Sequence, residues 1–544
     1  MNYLDQHSEP LGLRKAKHLL RRTSFNYSKE TLQQFASLTP EEAFNLLITS
    51  QNNLWPEPYD PRPETAPDGN WTSSTEHPNT FDGHFRKRRI ITSWWWYNGM
   101  NQNSLIQKMT FFLHTSFTVS KDDGSGFSTN FYDHLLLLEK FALGNLKTLS
   151  KKITFDNSML DFLDNTQNNA NNPNENYARE FLELFTILKA EQIGNGDYTN
   201  YTELDVQQAA KVFSGIKIQT DRSIIDAETN IPKGRIDVNR HDQDNKTFSH
   251  AFDNTTIIGS DTEIGIVQEL SDFVEMVFSK EATAISFIRK LYRYFVKSEW
   301  NDTVEENIIK PLATELKDGD YEILPILKKL LTSNHFYDLD DTNANDNIIG
   351  SIIKSPLQLI NEIISFFKMK IPDPAIEVED FYQFFNFVHS IYLASGGMLL
   401  WSPDSVAGYP AHYQSPDFDR HWFSSNTVLA RYKLIESLLT GRNKIRFNNN
   451  IRVEINIVDF IDNNITEPLL ANELITELAS FLYPEDISDE RVAYFAQNLL
   501  EGFPDYYWTD AWLQYKNTGD DTVVKTRLHA LIIQMINAPE FQLM

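Results

Sequence analysis

Along most of its 544 residues this chain repeats one signal: a capping residue, then apolar positions three and four apart, then a stop. That signal limits the fold more than any other feature, because helices with a single apolar face must bury it against other helices. In "LTPEEAFNLLI", Thr39 is an N-cap, Pro40 takes the first helical position and Glu42 completes a capping box. "SLIQKMTFFLHTSF" reads as a helix entered at Ser104, and "FYDHLLLLEKFALGN" as one ending near Gly144. "TELDVQQAAKVFSGI" starts at Thr202 and stops at Gly215, and similar periodicity continues to the last residues. Two windows break the pattern. Residues 51–83 are rich in proline, asparagine and aspartate and read as a long irregular loop. Residues 216–260, with "IKIQT", "RSIID", "GRIDVNR" and "NTTIIG", read as short strands around turns.

The expected fold is therefore mainly α, a multihelical globular protein with a small β insertion around 216–260. The length suggests more than one unit. The acidic stretch "DDTNANDN" is the best linker, dividing an N-terminal helical region, 1–345, from a C-terminal one, 346–544, unless the two form one compact body. Hydrophobic content of 41% supplies ample core, and a net charge of −26 argues against nucleic acid as a partner. The absence of cysteine excludes disulfides, zinc–thiolate sites and cysteine nucleophiles. No apolar run is long enough to span a membrane. No export signal is visible, which makes a cytoplasmic location the default, although a chain lacking its leader would read the same.

Against this background "NNPNENYAREFLELF", residues 171–185, is unusual: three glutamates, an arginine and four asparagines sit in an otherwise apolar helix. Asn172, Pro173 and Glu175 repeat the capping signature of Thr39–Glu42, which starts the helix there. At 100° per residue, Tyr177, Phe181, Leu184, Phe185 and Leu188 share one face, widened by Ala178 and Leu182. What remains is a narrow polar strip of Glu175, Arg179 and Glu183, flanked by Asn176 and Glu180. The narrowness implies an internal site with Arg179 buried against the glutamates; the alternative is an ion-pair ladder on a solvated face. "NRHDQDNKTF" places His241 and Asp242 side by side, as acid/base groups or metal ligands, or as a polar turn bonding its own backbone. The aromatic loop "LLWSPDSVAGYPAHYQSPDFDRHWF" suits a pocket for an amphipathic ligand such as a sugar, or a loop pinned to the core by its rings. No phosphate-binding loop, dinucleotide fingerprint, HExxH or GxSxG is present, so no cofactor is expected.

"HLLRRTSF", "MTFFLHTSFTVS", "NENYAREFLELFT", "YTELDVQQAAKVFSG", "HDQDNKTF", "KSPLQLI" and "GGMLLWSPDSVAGYP" occur in the order seen in a large bacterial family. The chain resembles the family catalogued as domain of unknown function 1800, from about residue 11 to "INAPEFQLM". The resemblance implies a largely helical bacterial protein, often encoded beside a sulfatase-like family. One departure stands out. Where the family commonly shows "FWHNHF", this chain has "FLHTSF", keeping His114 but carrying Ser116, so a metal site built on both histidines would lack one ligand.

Two function classes follow. The first is a hydrolase of carbohydrate or cell-envelope material, with two carboxylates as acid and base or nucleophile. The candidate catalytic residues are Glu175, Arg179, Glu180, Glu183, His241 and Asp242; the ligand would be a polar small molecule or glycan. The second is a non-catalytic binding or assembly protein, a partner of the sulfatase-like neighbour, in which the strip is a buried network fixing helix register. Geometry separates them: an enzyme opens its carboxylates into a cleft shared with the 401–423 loop, whereas a structural network is sealed.

Overall fold

A computed structural model describes residues 3–49, 55–59, 72, 81–124, 126–340, 348–441 and 454–544. Most of the expected loop at 51–83 and nearly all of the expected linker, 341–347, lie outside these residues. The described chain is mainly α-helical, with two small antiparallel pairs of strands. Ile216–Lys217 pairs with Arg235–Ile236, and Lys246–Thr247 with Thr256–Ile257. Strand is confined to the expected window but shorter than expected. "RSIID" forms only an isolated bridge, from Ile225 to Pro232, because residues around it are held by turns in which Asp226 accepts from Thr229.

Two of the capped starts read from sequence form as expected. Thr39 and Glu42 exchange reciprocal bonds before Pro40–Ile48, and Thr202 and Asp205 do so before Glu203–Val212. Trp94, Trp95 and Trp96 point in three directions from the Phe81–Met100 helix, and all three are buried. A helix covered on every side at that level lies inside the protein rather than on its surface.

One hydrophobic core runs through residues from both sides of position 345. The Gly12–Thr23 helix packs on Ala471–Leu482, where Lys17 Nζ donates to the carbonyls of Ser480 and Tyr483 at 2.7 and 2.6 Å. Arg21 donates to Glu362 at 2.6 Å, and Lys354 meets the other oxygen of Glu362 at 2.9 Å. Among the described residues, no helix is long and apolar enough to cross a membrane.

Candidate functional site

The polar-strip helix starts later than the capping signature implies. Its α-helical part is Asn176–Glu180, followed without a break by a π-helical turn, Phe181–Phe185. The signature at Asn172–Glu175 is pre-empted by a turn at Asn169, whose side chain accepts from the amides of Asn171 and Asn172. Buried Asn168 then holds the Asn174 amide at 3.0 Å, and the Asn174 side chain accepts from Asn176 in its place. Tertiary anchoring thus overrides a local capping preference.

The π turn decides which way the glutamates face. The Thr186 amide bonds back to Phe181, five residues away, and the chain leaves the helix with Leu188 at φ +64°. That wider turn takes Glu183 off the line of Glu175 and Arg179. π turns recur at functional sites because they redirect side chains in this way. The carbonyls exposed at the end of the turn are met by Lys290, whose Nζ donates to Leu184 and Phe185 at 2.5 and 3.4 Å. Burial, and then Arg293, push the Lys290 amine down to about 7.

Arg179 corrects a second expectation. It pairs with Glu175 at 3.3 Å, but its main partner is Glu203, reached by both Nη1 and Nη2 at 2.9 and 2.7 Å. Its side chain is 32% exposed and that of Glu175 is 40% exposed. This half of the strip is the solvated ladder, because all three of its charged side chains stay about a third or more open to water. Arg179→Ala is accordingly expected to cost about 1 kcal/mol, the scale of a well-formed surface pair, not the several kcal/mol of a buried one. Equilibrium urea unfolding measures it.

Glu180 and Glu183 behave differently. Glu183 accepts from the Tyr201 hydroxyl at 2.9 Å and faces the Lys189 amine at 3.8 Å. It also lines a pocket of about 260 Å³. Thr115 and Ser116, Lys290, Arg293 and Tyr294, and Val406, Ala407, His412 and Tyr413 of the aromatic loop complete most of the wall. Ser116, at the position of the departure from the "FWHNHF" pattern, faces this pocket, while His114 is buried and bonded to the Val119 carbonyl. Glu180 is half-buried, and desolvation, then the charge of Glu183, raise its carboxyl to about 7. Because the fold holds that proton more tightly than the unfolded chain does, folding stability should fall as pH rises from about 4.5 to 7. Glu180→Gln should remove this loss, stabilising the protein at pH 8 by about 1–2 kcal/mol, allowing for solvent screening, and leaving it unchanged at pH 4. Denaturation at the two pH values measures the difference.

Most rings of the aromatic loop pin it to the core. Trp401, Tyr409 and Trp422 are buried, with Trp401 set edge-on to Trp95 and His114 at 4.5 and 4.6 Å between ring centroids. His412 and Tyr413 turn to the pocket.

His241 and Asp242 do not reach it. His241 is buried, its Nδ1 against the Ser214 carbonyl at 2.8 Å and its Nε2 against Glu269 at 3.2 Å. Lys246 closes the cluster on Glu269 at 2.7 Å. Asp242 accepts from the Asp244 amide, the polar-turn arrangement. None of Glu175, Glu180 and Glu183 is among their hydrogen-bond or ion-pair partners. Among the described residues, no three histidine or acidic side chains are grouped to hold a metal ion.

Over residues 18–543 the chain matches the family described as "Protein of unknown function (DUF1800)". It belongs to the DUF1800 family. No curated protein and no solved structure matches it. In this DUF1800 chain the residues that sequence reasoning missed are Glu203, Tyr201, Lys290, Arg293 and Tyr294. Glu203 opens a capped helix, where an acidic residue is expected for dipole reasons alone. Lys290, Arg293 and Tyr294 share a helix, Glu281–Phe295, that reads as ordinary amphipathic sequence. Only their convergence on one pocket marks them.

Proposed function

We propose that the protein is a hydrolase acting on a polar substrate of carbohydrate or cell-envelope type, with Glu180 and Glu183 as its carboxylate pair. The observation that carries this reading is the opening of Glu183 into a pocket shared with His412 and Tyr413 of the aromatic loop. Carboxylates beside aromatic rings suit a sugar, whose ring faces are apolar and whose hydroxyls bond charged groups. A carboxyl raised to about 7 beside a second carboxylate is the division of labour that general acid catalysis needs. Glu183, oriented by Tyr201, would activate water or attack directly, while Glu180, three residues earlier and outside the pocket wall, would turn in to deliver the proton to the leaving group. At about 260 Å³ the pocket lies just below the usual range for ligand sites, roughly 300–1,000 Å³, which suits one small polar unit of a larger substrate.

The test is a screen of purified protein against chromogenic glycosides and esters, run in parallel with Glu183→Gln. Turnover by the native protein that the variant lacks supports the reading. Binding of glycan without turnover would favour the non-catalytic class, and neither turnover nor binding would end both ideas for this pocket.

A further inference from the structure

Arg293, Tyr294 and His412 also line a second, smaller cavity of about 40 Å³, on the far side of which stand Arg22, Lys108, Gln358 and Asp419. "HLLRRTSF", "KSPLQLI" and "INAPEFQLM", which the carboxylate pair leaves without a role, meet here through Arg22, Gln358 and Met544. At roughly 10–15 Å³ per water, the space takes about three waters or one small oxyanion.

The lining is rich in donors without acceptors. Arg22 is buried; its Nη2 donates to the main-chain oxygens of Ile348 and Met544 at 3.1 and 2.7 Å, but Nε and Nη1 have no partner. Gln358 is also buried, and its Oε1 accepts from Lys108 at 2.6 Å. A lysine can only donate, so the amide nitrogen is the group left over, and it too is unpartnered. His412 Nε2 is unpartnered too, in a ring that burial keeps neutral, so it donates in one tautomer and accepts in the other. The carboxylate in the wall, Asp419, already accepts from Ser298 Oγ and from the Ile353 amide at 2.5 and 2.7 Å. Water would accept from these donors and pass its hydrogens to the remaining lone pairs of Asp419, but it would bring no negative charge to the cationic groups. An oxyanion accepts through every lone pair and matches the guanidinium fork.

We propose that this cavity binds a small oxyanion, either free or as the anionic group of a ligand whose body lies in the larger pocket. Burial lowers Arg22 to about 9, against the raising charges of Asp419 and Asp338, and lowers Lys108 to about 7 and Arg293 to about 10, so the charged forms of these groups are disfavoured in the empty cavity. A bound anion supplies the negative charge that favours them. The site stands whether or not Glu183 is catalytic.

The experiment has two arms, both on the full chain. Acid-denatured protein is analysed by ion chromatography for inorganic anions and by mass spectrometry for organic acids. Refolded or exchanged native protein is titrated calorimetrically with sodium phosphate, sulfate and acetate at constant ionic strength. The expected result is a released anion near one per chain, or saturable binding of at least one probe. Gln358→Leu and Lys108→Met should weaken it about tenfold or more. Arg22→Gln is included, but its interpretation depends on its circular dichroism matching the native protein; the other two variants decide the matter if it does not fold. An inorganic ion released identifies the free form, and an organic acid the head-group form. Folded native protein that releases no anion and binds none of the three probes overturns the proposal. So does binding that all three variants leave undiminished, because the anion would then sit elsewhere.

Discussion

Glu362→Ala is expected to cost about 3–5 kcal/mol of unfolding free energy, the largest stability effect of any single change considered for this protein. Glu362 is fully buried in the Pro356–Phe366 helix and faces two cations at once, Arg21 at 2.6 Å and Lys354 at 2.9 Å, both themselves buried. Removing the carboxylate leaves Arg21 an uncompensated charge in the core, with its bond to the Leu482 carbonyl as the nearest remaining compensation, beside Lys354, whose amine burial pushes toward the neutral form. The alternative, that the pair is stabilised mainly by packing, predicts a much smaller change. Glu362→Gln keeps the shape and one acceptor for Arg21, so it should be milder than alanine but still destabilising, because the charge is what the cations need. Equilibrium urea unfolding of the three proteins decides it. A loss under about 1 kcal/mol for alanine would mean that water reaches the cluster. The same variant probes the joining of the chain's two parts, since Arg21 lies near the start and Glu362 beyond the expected boundary at 345. One unfolding transition, shifted as a whole, is expected.

On whichever substrate the screen identifies, Glu183→Gln should lower kcat about 10²–10⁴-fold, the usual range for a positioned acid or base. Glutamine keeps the bond from Tyr201 but can neither take a proton nor attack, so the loss should fall on kcat with KM nearly unchanged. Glu180→Gln should reduce the rate comparably at pH 5–6 for a different reason, loss of the proton donor. In the native protein the rate should fall as pH rises through about 7, where the Glu180 carboxyl gives up its proton. The glutamine variant should lack that limb. If both variants retain the native rate and pH profile, the catalytic carboxylates lie elsewhere.

The contrast between Arg179 and Glu183 shows how far the residues themselves reach. Of the apolar face read from periodicity, Tyr177, Ala178, Phe181, Leu182 and Phe185 are buried, while Leu184 and Leu188 are half-buried and line the pocket. The pairing of Arg179 with Glu175 is legible from their spacing of four. Their exposure is not, because it depends on how completely the helix beginning at Glu203 covers the strip, which no local pattern encodes. The π turn is equally silent in sequence: nothing in "FLELF" distinguishes it from an α-helical turn, and the wider turn is set by the packing of its rings and by Lys290 reaching its carbonyls.

Helical architecture, the capped starts at Thr39 and Thr202, the buried tryptophans at 94–96 and the confinement of strand to 216–260 follow from the sequence alone. These rest on interactions within a few residues, where hydrogen-bond geometry and periodicity dominate. Which polar residues meet was decided by tertiary structure. Glu183 shares a pocket with His412, Arg22 faces a cavity with Gln358, and His241 is sealed against Glu269 instead of joining the strip. Each brings together residues 28 to more than 300 positions apart. Such contacts are chosen by how the buried faces of whole helices pack, and a side chain's own neighbours in sequence exert no control over that choice.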